Sequence, residues 1–436
     1  MVKILDSRRL VRDAMSATAI KSAGELYLPK LPGQEDTAYE KYYHFNADFP
    51  LIMPEAVNAM LGMAFRKEPD AELGALNEDL LTGSNLTDFS RGILRDVLLA
   101  GCGVLVDYSG DHARFVKYDQ QDVQKLVTVG SEVAYVKLAD TRMERKGRGE
   151  WESVTEYLHY EMVDGVLECW RTDSEDKLIE EIEIRGVGGV KLDQVPFVFF
   201  SSTQLNKLDD LLPLEELAMA ARKWYFWDAE LTWDLFMQKA QAFVTNVEEA
   251  PSTIGGGTIW SLQGHEVQVG YIQPDPEGFE VLAAEKAVCL ERMHNAAAKV
   301  LDVAGAESGK SRQARQSDQR ATLAIMCETT SQGITRLLKL AAKFEAKTEE
   351  VYFDISKEFE VTQVDAQMLA KLLDAAVARQ LPQQMLFEAA RKAGITDLTD
   401  DEIIEKLTEE QTRKEAFSER ERSDTESDDT SPVLSQ

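Results

Sequence analysis

The sequence predicts an α+β fold, mainly α, on three observations. Residues 114–200 alternate apolar and polar side chains in short runs, the period-two pattern of strands with one buried face. Residues 212–247 contain no Gly and a single Pro, Pro213, placed where a first helical turn tolerates it. A helix of about 35 residues would be roughly 50 Å long at 1.5 Å per residue. Third, the 436-residue chain is 44% hydrophobic and 29% charged, enough apolar side chain for sizeable cores and too much for global disorder. That length suits about two to four domains.

Taken in order, the residues before Gly33 form a short helix that exits through a Pro- and Gly-containing loop. Pro54 begins a helix to about Phe65 whose stripe is Val57, Met60, Leu61 and Ala64. A second runs from Leu86 to Ala100, capped by Thr87 or Asp88, with Phe89, Ile93, Val97 and Leu98 on one side. Gly101-Cys102-Gly103 ends it before a compact strand, Val104–Tyr108. Strands are expected at Val133–Leu138, Glu152–Met162, Val166–Arg171, Leu178–Ile184 and Val195–Phe200, with a hairpin turn at Asp164-Gly165 and a basic hairpin tip at Arg142–Arg148. The long helix carries Trp224, Tyr225, Phe226, Trp227, Trp233, Phe236 and Phe243. Six Gly and three Pro within 250–278 mark a small irregular module with short β-like runs. A helix follows from Phe279 to about Leu301, then a small-residue basic loop over 303–318, a long helix over Gln319–Ser356, and shorter helices over Val364–Arg379 and Pro382–Ala393. Residues 400–436 hold 13 acidic and 5 basic side chains, and Phe417–Gln436 is expected to be disordered.

Charge narrows the functional classes. With 48 Lys and Arg against 77 Asp and Glu, the formal charge is −29, the wrong sign for a general cationic nucleic-acid binder. No apolar run reaches the ~20 residues of a membrane span. The first ten residues lack the apolar core of a secretory signal, so the expectation is a chain without membrane contact. Four separated Cys, at 102, 169, 289 and 327, suit a reducing compartment rather than a disulfide framework or zinc ribbon.

The sequence offers no catalytic constellation. Gly305-Ala-Glu-Ser-Gly309-Lys310-Ser311 approaches a phosphate-binding loop but has three residues between its glycines where four are needed, and it follows a helix rather than a strand. The five His stand apart from one another and from Cys at any ligand spacing. No Ser-His-Asp arrangement can be singled out, and carboxylate pairs are too common in so acidic a chain to mean anything alone. We therefore expect no enzyme activity, no cofactor and no metal. The Trp224–Trp227 cluster could stack nucleic-acid bases. Its helical spacing reads more simply as packing, within the chain or between subunits, and Trp224, Trp227 and Trp233 are the candidate subunit-packing residues.

Several phrases together resemble a family. They are Tyr27-Leu-Pro-Lys-Leu-Pro-Gly33 with Tyr39 and Tyr42; Leu61-Gly-Met-Ala-Phe65-Arg66-Lys67-Glu-Pro69 after a predicted helix; and Val97-Leu-Leu-Ala-Gly101-Cys-Gly103-Val-Leu-Val-Asp107. Pro213-Leu-Glu-Glu-Leu before the aromatic helix, the stretch Gly270 to Pro276, the helix ending at Val303, and Glu307-Ser308-Gly309 before another long helix complete the set. In this order they resemble a group of tailed-bacteriophage portal proteins long catalogued as a domain of unknown function, over roughly residues 25–360. The bottom-up reading converges on one unusual point: two long helices flank a small Gly- and Pro-rich module that could not be stable by itself.

What the resemblance implies is a portal-type fold in a ring of about twelve subunits at one capsid vertex. Residues 1–210 would be the N-terminal wing, 211–249 the first stem helix, 250–278 the clip, and 279–302 the second stem helix. Residues 303–318 would be a tunnel loop, 319–356 a long wing helix, 357–411 a helical crown and 412–436 an acidic disordered tail. The ring would be the channel for genome packaging and ejection. Its partners would be further copies of itself, double-stranded DNA passing without sequence preference, the terminase large subunit, the head–tail adaptor, and the major capsid and scaffolding proteins. The protein would assemble in the host cytoplasm and reside in the virion. An acidic channel wall would repel phosphates and prevent tight gripping. Lys310, Arg312, Arg315 and Arg320, set against Glu307 and Asp318, are the candidate DNA contacts; the alternative is that they pair with acids of the next subunit. Ile254, Trp260, His265 and Tyr271 are the candidate clip residues for partner docking. The competing readings are another head-completion or scaffolding protein and a soluble enzyme with an unrecognised site.

Overall fold

The computed structural model describes residues 6–357 except 75, 77, 82, 109–111, 187–188, 190–191, 238–240, 250–261, 273–276, 299–308 and 349, together with residues 359 and 406. The chain divides into two units, Met1–Lys357 and Glu358–Gln436. The helices expected at 364–379 and 382–393 and the acidic tail lie outside the described residues.

The N-terminal segment contains α1 (Ser7–Asp13), capped by the Asp6 side chain, α2 (Ala17–Ser22), capped by Ser16, and the single turn α3 (Asp36–Ala38), which runs into a wider π-helical turn over Tyr39–His44. Next come α4 (Ile52–Ala64), whose buried face is Met53, Ala56, Val57, Met60, Leu61 and Ala64, the short strand β1 (Asp70–Glu72), and α5 (Leu86–Leu99). The cap of α5 is Asn85 rather than Thr87 or Asp88, because the Asn85 side chain accepts the Asp88 backbone N–H at 2.6 Å.

Seven strands follow: β2 (Cys102–Asp107), β3 (Arg114–Asp119), β4 (Val123–Val129), β5 (Glu132–Arg145), β6 (Trp151–Val163), β7 (Val166–Thr172) and β8 (Leu178–Ile182). After a loop, β9 (Phe197–Phe200) completes the region. Strands β4 to β8 form an antiparallel meander in chain order, turning between β6 and β7 at Asp164 and Gly165, both at positive φ. A second antiparallel sheet has the order β3-β2-β9.

The two sheets share a core. Val136, Leu138, Leu158, Tyr160 and Cys169 from the meander pack with Leu105, Tyr118, Phe197 and Phe199. Side chains alternate along β9, so Val198 and Phe200 belong to its opposite face, and both are fully buried. There the helices cover the sheet. Each buried Phe contributes roughly 1.5–3 kcal/mol of apolar transfer energy. The region is therefore layered, with five strands, three strands and a helical layer that includes α5 and α8 (Gly309–Phe344).

The remaining elements are α6 (Glu215–Met237), β10 (Gln241–Thr245), β11 (Gln268–Ile272), α7 (Glu277–Ala298), which precedes α8, and β12 (Tyr352–Asp354), which pairs with β1. Three sequence expectations are corrected here. The first long helix ends at Met237, and Phe243 belongs to a strand, since Phe-Val-Thr favours extended backbone although nothing in 238–247 forbids a helix. The last long helix begins at Gly309 rather than Gln319, so Lys310, Arg312, Arg315 and Arg320 stand on its first three turns and not in a loop. It ends at Phe344 rather than Ser356. Ala346 takes a left-handed conformation (φ 52°), Lys347 N–H bonds the Ala342 carbonyl at 2.9 Å, and Ala346 N–H bonds the Lys343 carbonyl at 3.2 Å. That is a Schellman ending with Ala where Gly is usual, so the sequence carries no stop signal. Among the described residues no helix is long and apolar enough to cross a membrane.

Candidate assembly surface

Helix α6 is the element on which the candidate surface is built. Its inner face, Leu217, Ala218, Ala221, Tyr225, Asp228 and Ala229, is buried. The N-terminal segment supplies much of what it meets. Arg222 Nε donates to the Tyr27 carbonyl at 3.2 Å, Asp228 Oδ2 accepts the Asp48 backbone N–H at 2.7 Å, and the Tyr43 hydroxyl donates to Glu230 Oε1 at 3.0 Å. Burial, followed by the neighbouring Glu230 carboxylate, pushes the Tyr43 hydroxyl far above the ordinary tyrosine range. Burial also raises the Glu230 carboxyl, and the Tyr43 hydrogen bond offsets part of that rise. Tyr43 is thus a permanent donor that fastens the π-helical turn to α6.

Helix α7 lies beside α6 and buries Cys289, Met293 and Ala296, a four-then-three spacing that keeps one face inward. Between the helices, Lys286 Nζ bonds Asp228 Oδ1 and stands 4.5 Å from the Trp224 ring centroid. One lysine therefore joins a carboxylate and an aromatic face at once.

The three predicted packing residues all lie on α6 and all make contacts within the chain. Trp224 carries Lys286, Trp227 meets Phe226 edge-on at 5.3 Å, and Trp233 lies edge-on to Tyr43 at 6.3 Å and tilted against Phe236 at 5.8 Å. The indole N–H groups of Trp224 and Trp227 are buried and have no acceptor among the described residues. The sequence located these aromatics. It did not locate Lys286, whose partners sit on another helix.

Strands β10 and β11 pair in register from Gln241 opposite Ile272 to Thr245 opposite Gln268. Phe243 lies over Gly270, where an added Cβ would come within 2.6 Å of the ring and push it aside. On the other face of the ribbon Val269 and Tyr271 are 54% and 74% exposed. A lone two-stranded ribbon with an exposed apolar side is marginal without something covering it. Of the four predicted docking residues, Tyr271 is on this strip, His265 is exposed in the connection before β11, and Ile254 and Trp260 lie outside the described residues. The backbone of Lys310, Arg312, Arg315 and Arg320 is helical, and their side chains are outside the described set.

All four cysteines are free and buried. Among the described residues no group of three His, Cys, Asp or Glu side chains could hold a metal ion.

A family model described as a domain of unknown function, DUF4055, matches residues 213–345, the stretch from the start of α6 to the end of α8. No curated protein matches the chain. Among solved structures, the chain is similar to one from the virion of a native gene transfer agent particle, with 12% identity over 84% of this chain and 94% of that one, at a TM-score of 0.36. Likeness that shallow decides nothing about function.

Proposed function

We propose that this chain is a portal protein of a tailed phage, a ring-forming structural subunit at the capsid vertex through which DNA enters and leaves. The observation that carries the reading is the run α6, β10–β11 ribbon, α7, α8. Two helices pack side by side, and a small ribbon with an exposed Val269–Tyr271 strip is inserted between them. In the portal reading α6 and α7 are the stem, the ribbon belongs to the clip that meets the packaging motor and the adaptor, and the layered sheets are the wing. The family match supports the integrity of this run, since it spans all of it, while its description assigns no role. The phrases that resemble portals fall in the same stretch, in the N-terminal segment bonded to it, and at the junction of α5 and β2.

In this reading the net charge of −29 keeps the channel wall from gripping phosphates. Lys310, Arg312, Arg315 and Arg320, now on helical backbone, remain the proposed sites of weak contact with passing DNA. The ATPase that drives packaging belongs to a partner.

The test is the native mass of the purified full chain with negative-stain images of the same fractions. A closed ring of about twelve copies around a hole supports the reading. A monomer or compact dimer that never forms rings, alone or with other head proteins, overturns it.

A further inference from the structure

The hairpin of β5 and β6 is longer than the sheet that contains it. Strand β4 pairs with β5 only as far as Leu138, and β7 pairs with β6 only from Tyr157. Beyond those points, residues 140–145 and 151–156 pair only with each other, as a two-stranded arm projecting from the sheet. Both arm edges carry unpaired backbone groups, a template for another chain. One face of the arm is closed within itself: Arg142 bridges Glu144 and Glu156, each at 2.8 Å, and Lys146 bridges Glu152. The other face is not. Met143 and Trp151 are each 59% exposed, and Arg145 lies opposite Trp151 in the ladder. Arg145 and Arg148 have no carboxylate partner among the described residues, against one unbridged carboxylate at the tip, Glu150.

The same sheet offers the complement. Strand β8 is an edge, bonded only to β7 among the described residues. A groove of 790 Å³ runs beside it; on the face that carries the carboxylates Glu168 and Glu181 its apolar lining is Val166, Trp170 and Leu178, while Leu167 and Ile182 turn to the other face, toward the core. Neither carboxylate has an ion-pair partner among the described residues, whereas Glu183 is bridged by Arg185 and Glu180 by Arg171.

The arm cannot fill its own groove. Glu168 pairs with Glu161, and Glu181 pairs with Trp170, itself opposite His159, so the groove lies level with residues 159–161 of β6. Trp151 starts the same strand, and at ~3.3 Å per residue the tip is roughly 25–35 Å away, pointing in the other direction. We propose that the arm of one copy lies along the β8 edge of a second copy, with Trp151 and Met143 against the apolar lining and Arg145 and Arg148 facing Glu168 and Glu181. The two surfaces are different and point opposite ways, so the contact is head-to-tail, the kind that closes into rings or continues as filaments. The proposal deepens the assembly reading above and rests on it for the choice of a second copy as occupant.

Two experiments on the full chain test it. Arg148→Cys combined with Glu181→Cys should give a ladder of disulfide-linked copies under mild oxidation, with little background because the native cysteines are buried. In parallel, Arg145→Glu with Arg148→Glu should weaken self-association about tenfold or more in sedimentation. Adding Glu168→Lys and Glu181→Lys should restore it to within about threefold, with circular dichroism confirming that each variant is folded. No ladder, or association indifferent to the charge reversal, overturns the arm contact. Rings that persist under those conditions overturn only the contact and leave the portal reading standing. A ladder and rescue in short open chains that never close support the contact and count against the portal reading. Loss of binding to another head protein with self-association unchanged assigns the arm to that protein and overturns the proposal.

Discussion

His159 is held by hydroxyls on both ring nitrogens: the Tyr135 hydroxyl is 2.9 Å from Nδ1 and the Thr172 hydroxyl 2.9 Å from Nε2. The ring is also stacked on Trp170 at 5.0 Å between centroids. A neutral imidazole has one donor and one acceptor, and two hydroxyls satisfy both in either tautomer. Burial, followed by the Lys137 ammonium, pushes the His159 pKa below its ordinary value. The unfolded chain therefore binds the proton first, so the fold is fully stabilised above the unfolded pKa and loses stability as pH falls. Thermal unfolding of the wild type should shift downward between roughly pH 7 and pH 5, and His159→Gln, which cannot titrate, should show a flatter profile over that range. Parallel profiles would mean that His159 does not titrate on unfolding. None of this was legible from the sequence, where His159 is one of five isolated histidines, because its partners come from two neighbouring strands.

At the scale of elements, a pattern was readable wherever local chemistry and tertiary packing agree. The alternation of 133–171 and the Asp164-Gly165 turn locate three strands of the meander, and Pro54 with its apolar stripe locates α4. Boundaries escaped where the stop is conformational rather than compositional: Ala346 in a left-handed conformation ends α8, and Phe243 leaves the helical pattern without a Gly or Pro. The arm was visible only as a basic hairpin tip, since its projection depends on where β4 and β7 stop pairing. Gly333 illustrates a helix position set by packing rather than by propensity. It faces Phe200 of β9, and an added Cβ would come within 2.3 Å of the ring. Alanine is worth about 1 kcal/mol over glycine in a helix, whereas overpacking a filled core costs about 1–3 kcal/mol. Phe200 is fully buried and has no room to turn aside, so the clash wins. Gly333→Ala should lower stability to urea by up to about 2 kcal/mol; a raised midpoint would show that α8 is less tightly seated than its contacts with β9 indicate.

For the molecule as a whole, the question is which exposed surfaces the chain keeps for other molecules. A chain of charge −29 repels its own copies, so any assembly needs local contacts that outweigh that repulsion. Trp224, Trp227 and Trp233, the aromatics most conspicuous in the sequence, already have contacts inside the chain. Apolar side chains are left in solvent at several other places, among them Met143 and Trp151 on the arm, Val269 and Tyr271 on the β10–β11 ribbon, and Phe45, Val129, Leu211 and Val281. The ribbon discriminates between a stability role and an assembly role, because the side chains of Val269 and Tyr271 face away from the Phe243–Gly270 contact that holds its strands together. Replacing both, as Val269→Thr with Tyr271→Ser, should change unfolding stability by no more than about 0.5 kcal/mol, the range of ordinary surface substitutions. In the portal reading the same variant should lose ring formation or binding of the motor and adaptor, measured by sedimentation of the chain alone and with those partners. A variant that unfolds at lower temperature yet assembles normally would assign the strip to the subunit's own stability. One that is stable and assembles normally would remove the ribbon from the assembly surface and leave the arm as its principal candidate.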